Sequence, residues 1–197
     1  NEKARLALGF TKYHGKWMTQ DDIKRAQGFV KYQGRFITTQ EHALFVKSKD
    51  QRKLEREWHK NIRLWKRWLT GKSPERRSTG LAALRNIVQP EAVPALMRYF
   101  QDSPKNQRNM YVNILSQISG PRPVVALVDQ SLKDSDYGIR YQALDAIQPS
   151  QFAIAASRFL SGLKSDRNEI IKRAAVGLMK VGDVDAVPRL IDALITT

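Results

Sequence analysis

Cysteine is absent from the 197 residues, so the chain can build neither a disulfide framework nor a thiolate metal site. That absence leaves the compartment open, because exported proteins can also do without disulfides. Histidine is nearly as scarce. His14, His42 and His59 fall in an expected turn, an expected short helix and a basic helix, with no ligand spacing among them, so neither metal nor cofactor is expected. No run of 18 apolar residues exists, which leaves no segment able to cross a membrane as a helix. Gly-rich phosphate loops and nucleophile motifs are missing too, and residues 73–197 hold no tryptophan. Carboxylates are few, 19 Asp and Glu against 34 Lys and Arg, for a net charge of +15.

The basic excess is uneven. Residues 1–80 hold 20 Lys and Arg against 8 Asp and Glu, whereas residues 81–197 hold 14 against 11. A basic patch can mark a site for nucleic acid, anionic lipid or an acidic polymer, and it can equally be a solvated face. The chain opens on Asn1 rather than Met, with no charged-then-apolar leader behind it. This reads as a fragment of a longer protein, in keeping with a removed signal peptide and an exported or periplasmic location.

Two repeat systems lie end to end. Gly9-Phe10-Thr11-Lys12-Tyr13-His14-Gly15-Lys16-Trp17-Met18-Thr19 returns from Gly28 as Gly-Phe-Val-Lys-Tyr-Gln-Gly-Arg-Phe-Ile-Thr. In each copy a short aromatic stretch, a two-residue connection ending in Gly15 or Gly34, and a second stretch predict a tight hairpin. Thr19 with Asp22, and Thr38 with Glu41, have the spacing of a capping box, so a short helix should follow each hairpin. The tandem units are placed at 9–27 and 28–46, within a module over 1–48. The aromatics at 10, 13, 17, 29, 32 and 36, interleaved with Lys12, Lys16, Lys31 and Arg35, could form a stacking platform for single-stranded nucleic acid. So small a module needs them for its own packing, and that assignment is preferred. The wording from Leu8 to about Phe45 resembles short repeats in exported multidomain proteins of planctomycete-type bacteria, which implies a bacterial source and export but no activity.

Residues 49–72 predict a basic amphipathic capping helix, running from about Asp50 to Leu69. Leu54, Trp58, Ile62, Trp65 and Leu69 share one stripe, and cations including Lys60, Arg63, Lys66 and Arg67 cover the rest. The stripe is expected to pack on the next element of the chain. An alternative function is polyanion binding through the basic third of the chain, and those four cations are its candidate contacts.

From Ser73, an expected N-cap, and Pro74, an expected first helical residue, a helix–turn–helix pattern recurs about four times over 73–197. First helices are marked by Leu84 and Ile87, Leu115 and Ile118, Leu144 and Ile147, and Leu178 and Val181. Second helices are expected near Ala92–Leu96, Val124–Leu127, Phe152–Ala155 and Ala186–Leu190. Asp102-Ser103-Pro104, Asp134-Ser135-Asp136 and Ser165-Asp166 are suited to starting helices. Periods of this size signal a stacked array. The segment Leu132-Lys133-Asp134-Ser135-Asp136-Tyr137-Gly138-Ile139-Arg140-Tyr141-Gln142-Ala143-Leu144 resembles the HEAT repeat, in the short form named after phycobilisome lyases. So does Lys172–Leu178 running into Gly182–Pro188. The copies around Tyr111 and Phe152 depart from that pattern, lacking its Arg and its Gly-Asp turn.

The resemblance implies a mainly α protein, an α-solenoid of about four HEAT-like helical hairpins preceded by the small β-hairpin/helix module and the long basic amphipathic helix. It implies second helices lining a concave face that holds a protein or peptide partner, with Arg98, Gln130, Arg158 and Asp192 as candidate contacts. Bilin attachment and base excision, activities of related proteins, are not expected: the second uses an acidic residue flanked by Trp and Arg, and the array has no Trp. The expectation is a non-catalytic binding scaffold.

Overall fold

The structure is a computed structural model that describes residues 2–182. Its chain divides between Leu54 and Glu55 into two compact units, each built by a different repeat.

The first unit alternates helix and hairpin. α1 (Glu2–Ala7), β1 (Phe10–Tyr13) and β2 (Lys16–Thr19) are followed by α2 (Gln20–Ala26), β3 (Phe29–Tyr32) and β4 (Arg35–Thr38), and then by α3 (Thr39–Leu69). β1 and β2 pair antiparallel, with Phe10 opposite Thr19 and Tyr13 opposite Lys16. β3 and β4 repeat the register, with Phe29 opposite Thr38 and Tyr32 opposite Arg35. Both turns have two successive positive φ values, 44° and 81° at His14 and Gly15, 49° and 81° at Gln33 and Gly34. That is the type I′ geometry whose twist suits paired strands, and it explains the glycine in second place.

Threonines start the next helices. The Asp22 amide donates to Thr19 Oγ1 at 3.2 Å, and Thr19 Oγ1 donates to Asp22 Oδ2 at 2.6 Å. In the second copy the box is reciprocal: the Glu41 amide donates to Thr38 Oγ1 at 3.1 Å and the Thr38 amide donates to Glu41 Oε2 at 2.8 Å. Bonds from the Thr38 amide and hydroxyl hold the Glu41 carboxyl below its usual range, and the Thr19 hydroxyl does the same for Asp22. A carboxyl depressed in the fold stabilises it above the unfolded pKa, about 4, and loses that contribution as pH falls through the folded value. In an NMR titration, Glu41 is therefore expected to show a midpoint below the ordinary value of about 4.3, and Thr38→Val to raise it.

The six aromatics of the repeats are half-buried, and Ile23 is the one buried apolar residue of this unit among those described. Cationic side chains cover several rings. Arg5 lies 5.7 Å from the Trp17 ring, Lys24 5.0 Å from Phe29 and Lys31 5.6 Å from Phe36. Of the four interleaved cations Lys31 is engaged in this way, while Arg5 and Lys24 come from α1 and α2.

α3 starts at Thr39, well before Asp50. No glycine or proline stands between Gly34 and Gly71, so nothing interrupts it, and the divide expected after residue 48 lies inside one helix. Leu54, expected on the apolar stripe, is exposed.

The second unit opens with the remainder of α3. Ile62 is fully buried, and Trp58, Trp65 and Leu69 pack against the same core. Then come α4 (Pro74–Arg85), a 3₁₀ turn (Pro90–Ala92), α5 (Val93–Phe100), α6 (Lys105–Gln117), α7 (Pro121–Lys133), α8 (Tyr137–Asp145), a second 3₁₀ turn (Pro149–Gln151), α9 (Phe152–Gly162) and α10 (Asn168–Val181). α4, α6 and α8 neighbour one another in one layer, and α5, α7 and α9 in the other; α10 packs on α9 and α7. The expected second helix at Ala186–Leu190 lies outside the described residues.

The Leu and Ile markers, three residues apart, are helix ends. Ile87 donates to the Leu84 carbonyl, Ile118 to Leu115 and Ile147 to Leu144, at 3.2–3.3 Å, and all six side chains are buried. Each helix thus closes on a tightened last turn that also plugs the core. Ser73 and Asp136 cap α4 and α8 through bonds from the Arg76 and Ile139 amides. α6 and α10 start without a side-chain cap, contrary to expectation. Ser103 is bonded elsewhere, donating to the Tyr99 carbonyl at 2.9 Å, and Ser165 accepts from the Arg167 amide.

An arginine is the fourth residue of α4, α6 and α8, namely Arg77, Arg108 and Arg140. Their Nη1 atoms donate to the carbonyls of Gly71, Ser103 and Asp134 at 2.8–3.0 Å, tying each helix start to the segment before it. The copy around Tyr111 therefore does carry this arginine, as Arg108.

Candidate partner-binding faces

On α7 the solvent-facing stripe is Arg122, Val125, Asp129 and Lys133, spaced by three, four and four residues, while nearly everything between them is buried. Asp129 is the electrostatic centre of this face. Arg158 on α9 grips it in a fork, Nε to Oδ1 at 3.0 Å and Nη2 to both oxygens at 2.9 and 3.1 Å, and Lys133 approaches to 3.5 Å. Arg122 reaches the Glu55 carboxylate at 2.8 Å. Between α7 and α9 lies an open groove of about 530 Å³, lined by Val125, Ala153, Ile154, Ser157, Arg158 and Ser161. Small and apolar side chains with an ion-paired rim suit an extended or helical peptide with an apolar anchor.

Nearby, Tyr111 is almost fully buried, and burial together with the Asp129 and Asp102 carboxylates pushes its phenol far above the usual range. It stays neutral at any physiological pH.

The structure disperses the four residues expected to meet a partner. Arg98 is exposed on α5, and Arg158 stands at the rim of the groove, already held by Asp129. Gln130 is 6% exposed, and its amide donates to the Asp134 carboxylate inside the array. It follows Asp129 by one residue, which turns it off the outward stripe. Asp192 lies outside the described residues. Val125, Asp129 and Ile154, which do line the outward face, are not singled out by residue type; the three- and four-residue spacing from Arg122 to Lys133 is the signal that marks the stripe.

The four cations of the alternative site also separate. Lys60, Arg63 and Arg67 are exposed and line a groove of about 500 Å³ with His59, Leu64 and Tyr99. Lys66 turns into the array, where its Nζ donates to the Tyr99 carbonyl and to Ser103 Oγ and lies 5.2 Å from the Phe100 ring. Burial lowers its pKa, with the Asp102 carboxylate acting in the opposite sense. It is a structural cation.

The first-helix side offers a smaller cavity, about 200 Å³, beside Tyr137, Tyr141, Lys172 and Val176. The two tyrosine rings lie 4.4 Å apart. Arg140 and Arg173, which also line it, are tied to backbone carbonyls.

No curated protein matches the chain. Residues 62–148 match the family of HEAT repeats and residues 172–196 that of the PBS lyase HEAT-like repeat, and HEAT repeats are in general protein-interaction scaffolds. The helical array of this chain is a HEAT-like solenoid.

Proposed function

We propose that the chain is a non-catalytic binding scaffold that holds a protein or peptide partner on its second-helix face. The observation that carries this reading is the groove between α7 and α9, with Val125 and Ile154 as its large apolar residues and the Arg158–Asp129 pair at its rim. Rigid helices present it, so a partner would meet a surface already formed. Of the contacts expected from sequence, Arg98 and Arg158 remain available to this role. Within the second unit, the part of α3 from Glu55 acts as a cap on the array, and no reaction or cofactor is assigned. The likeness of the N-terminal repeats to those of exported planctomycete-type bacterial proteins makes such a cell the source in which to seek the partner.

The test is retention of the partner from a host extract by immobilised chain, compared among surface variants. Val125→Glu and Ile154→Glu should each reduce retention more than roughly thirtyfold, since a charge at the apolar centre of an interface costs about 2 kcal/mol or more. Met179→Glu, at a 78% exposed position of α10, should leave it unchanged. Equal retention by all three variants would remove the second-helix face from consideration.

A further inference from the structure

Several cations of the array are neutralised by the array itself. Arg108 pairs with Asp134, Arg122 with Glu55, Arg158 with Asp129, Lys105 with Asp136 and Lys180 with Asp145. Lys60, Arg63 and Arg67 are among those that are not, and they line one groove together. Among the described residues none of their side chains has a carboxylate partner or a hydrogen bond. Spaced by three and four residues on α3, they share one helix face and span about 10 Å along its axis. Holding three like charges together costs repulsion that no internal ion pair relieves, so the face is complementary to an anion supplied from outside.

The groove beside them narrows the class of anion. Tyr99 and His59 contribute rings with centroids 5.9 Å apart in an edge arrangement, and Leu64 adds an apolar wall. Lys66 bonds the Tyr99 carbonyl and so anchors the backbone that carries that ring beside the cations. A membrane surface would call for apolar residues alongside the charges, yet the apolar stripe of this part of α3, with Ile62 at its centre, is turned into the core. An acidic peptide would engage the cations and leave the rings without a role. A duplex keeps its bases stacked and out of reach of a ring. Unstacked bases use both features, since cations track the backbone while aromatic faces receive the bases.

We infer that the α3 groove binds single-stranded nucleic acid, with Lys60, Arg63 and Arg67 against neighbouring phosphates and a base on the Tyr99 ring. This site is separate from the groove between α7 and α9 and does not rest on the scaffold reading.

The test is fluorescence anisotropy with the intact chain and four labelled probes: a single strand of about 12 nucleotides, the matching duplex, a glutamate-rich peptide and phosphatidylserine-containing vesicles. The single strand should bind tightest. Three phosphate contacts predict a fall of roughly twentyfold between about 50 and 200 mM salt. Lys60→Gln/Arg63→Gln/Arg67→Gln should flatten that dependence. Tyr99→Leu, which keeps apolar bulk, should weaken binding about tenfold with the salt slope unchanged. Thermal melts by circular dichroism confirm that these variants fold, and a Lys164→Gln/Lys172→Gln control should bind like the parent. Absence of single-strand binding at about 50 mM salt would overturn the inference. So would duplex, peptide or vesicle binding as tight as the single strand, or full binding by the triple variant.

Discussion

Replacing Gly177 by alanine is expected to destabilise the array by about 1–3 kcal/mol, although alanine is the better helix former by about 1 kcal/mol. Gly177 is buried in the middle of α10, and a Cβ there would lie 2.3–2.5 Å from three ring atoms of Phe159. Those distances are far inside van der Waals contact, and Phe159, fully buried on α9, has no open side to move toward. Relief therefore requires α9 and α10 to separate, which opens the α9–α10 contact. In thermal unfolding this should appear as a fall in Tm of roughly 3–10 °C, given about 2–4 °C per kcal/mol for a domain of this size. Phe159→Leu removes the obstructing ring atoms, so the Gly177→Ala/Phe159→Leu double variant should lose less than the sum of the singles. A more stable Gly177→Ala protein would mean that helix propensity governs the site and that the close packing of α9 on α10 is wrong.

Asp134→Ala should cost still more, about 3–5 kcal/mol, because it strands a partly buried guanidinium. The Asp134 side chain is 1% exposed and that of Arg108 15%. Arg108 Nε and Nη2 donate to its two oxygens at 2.8 and 3.1 Å, the Asp136 amide donates at 2.8 Å, and the Gln130 amide completes the set. One carboxylate thus joins the start of α6, the end of α7 and the turn into α8. Urea unfolding should show a large drop in midpoint at nearly constant m-value. Replacing the pair by apolar residues, Arg108→Met/Asp134→Leu, should be much milder than Asp134→Ala, since no unpaired charge is left behind. A loss under about 1 kcal/mol for Asp134→Ala would place the pair among ordinary surface ion pairs.

Local chemistry made much of this fold legible in the sequence. Gly15 and Gly34 predict their hairpins because each turn demands positive φ, and Thr38 with Glu41 predicts a helix start because each side chain accepts from the other's amide. The Leu84–Ile87 type of pair reports the array because in α4, α6 and α8 the same two residues close the helix and fill its core. What stayed hidden depends on partners distant in sequence. Nothing near Arg108 names Asp134, 26 residues on, as its counter-ion, and nothing near Lys66 shows that Tyr99 and Ser103 will claim it. Gln130 looks like a surface residue by type, and only the phase of α7 turns it inward. The early start of α3 is masked because polar residues from Lys47 to Lys53 suggest a linker, although none of them breaks a helix.

Whether partners meet the second-helix face can be decided by site-specific photo-cross-linking in a host extract, with a benzophenone amino acid placed at Val125 or Ile154 and, for comparison, at Val176 or Met179 on α10. Val125 is half-buried while Ile154, Val176 and Met179 are exposed, so accessibility favours the α10 positions and works against the expected result. A scaffold that binds through this face yields a discrete polypeptide adduct from Val125 and Ile154 and none from Val176 or Met179. Adducts confined to the α10 positions, or equal adducts from all four, would show that partners do not select it.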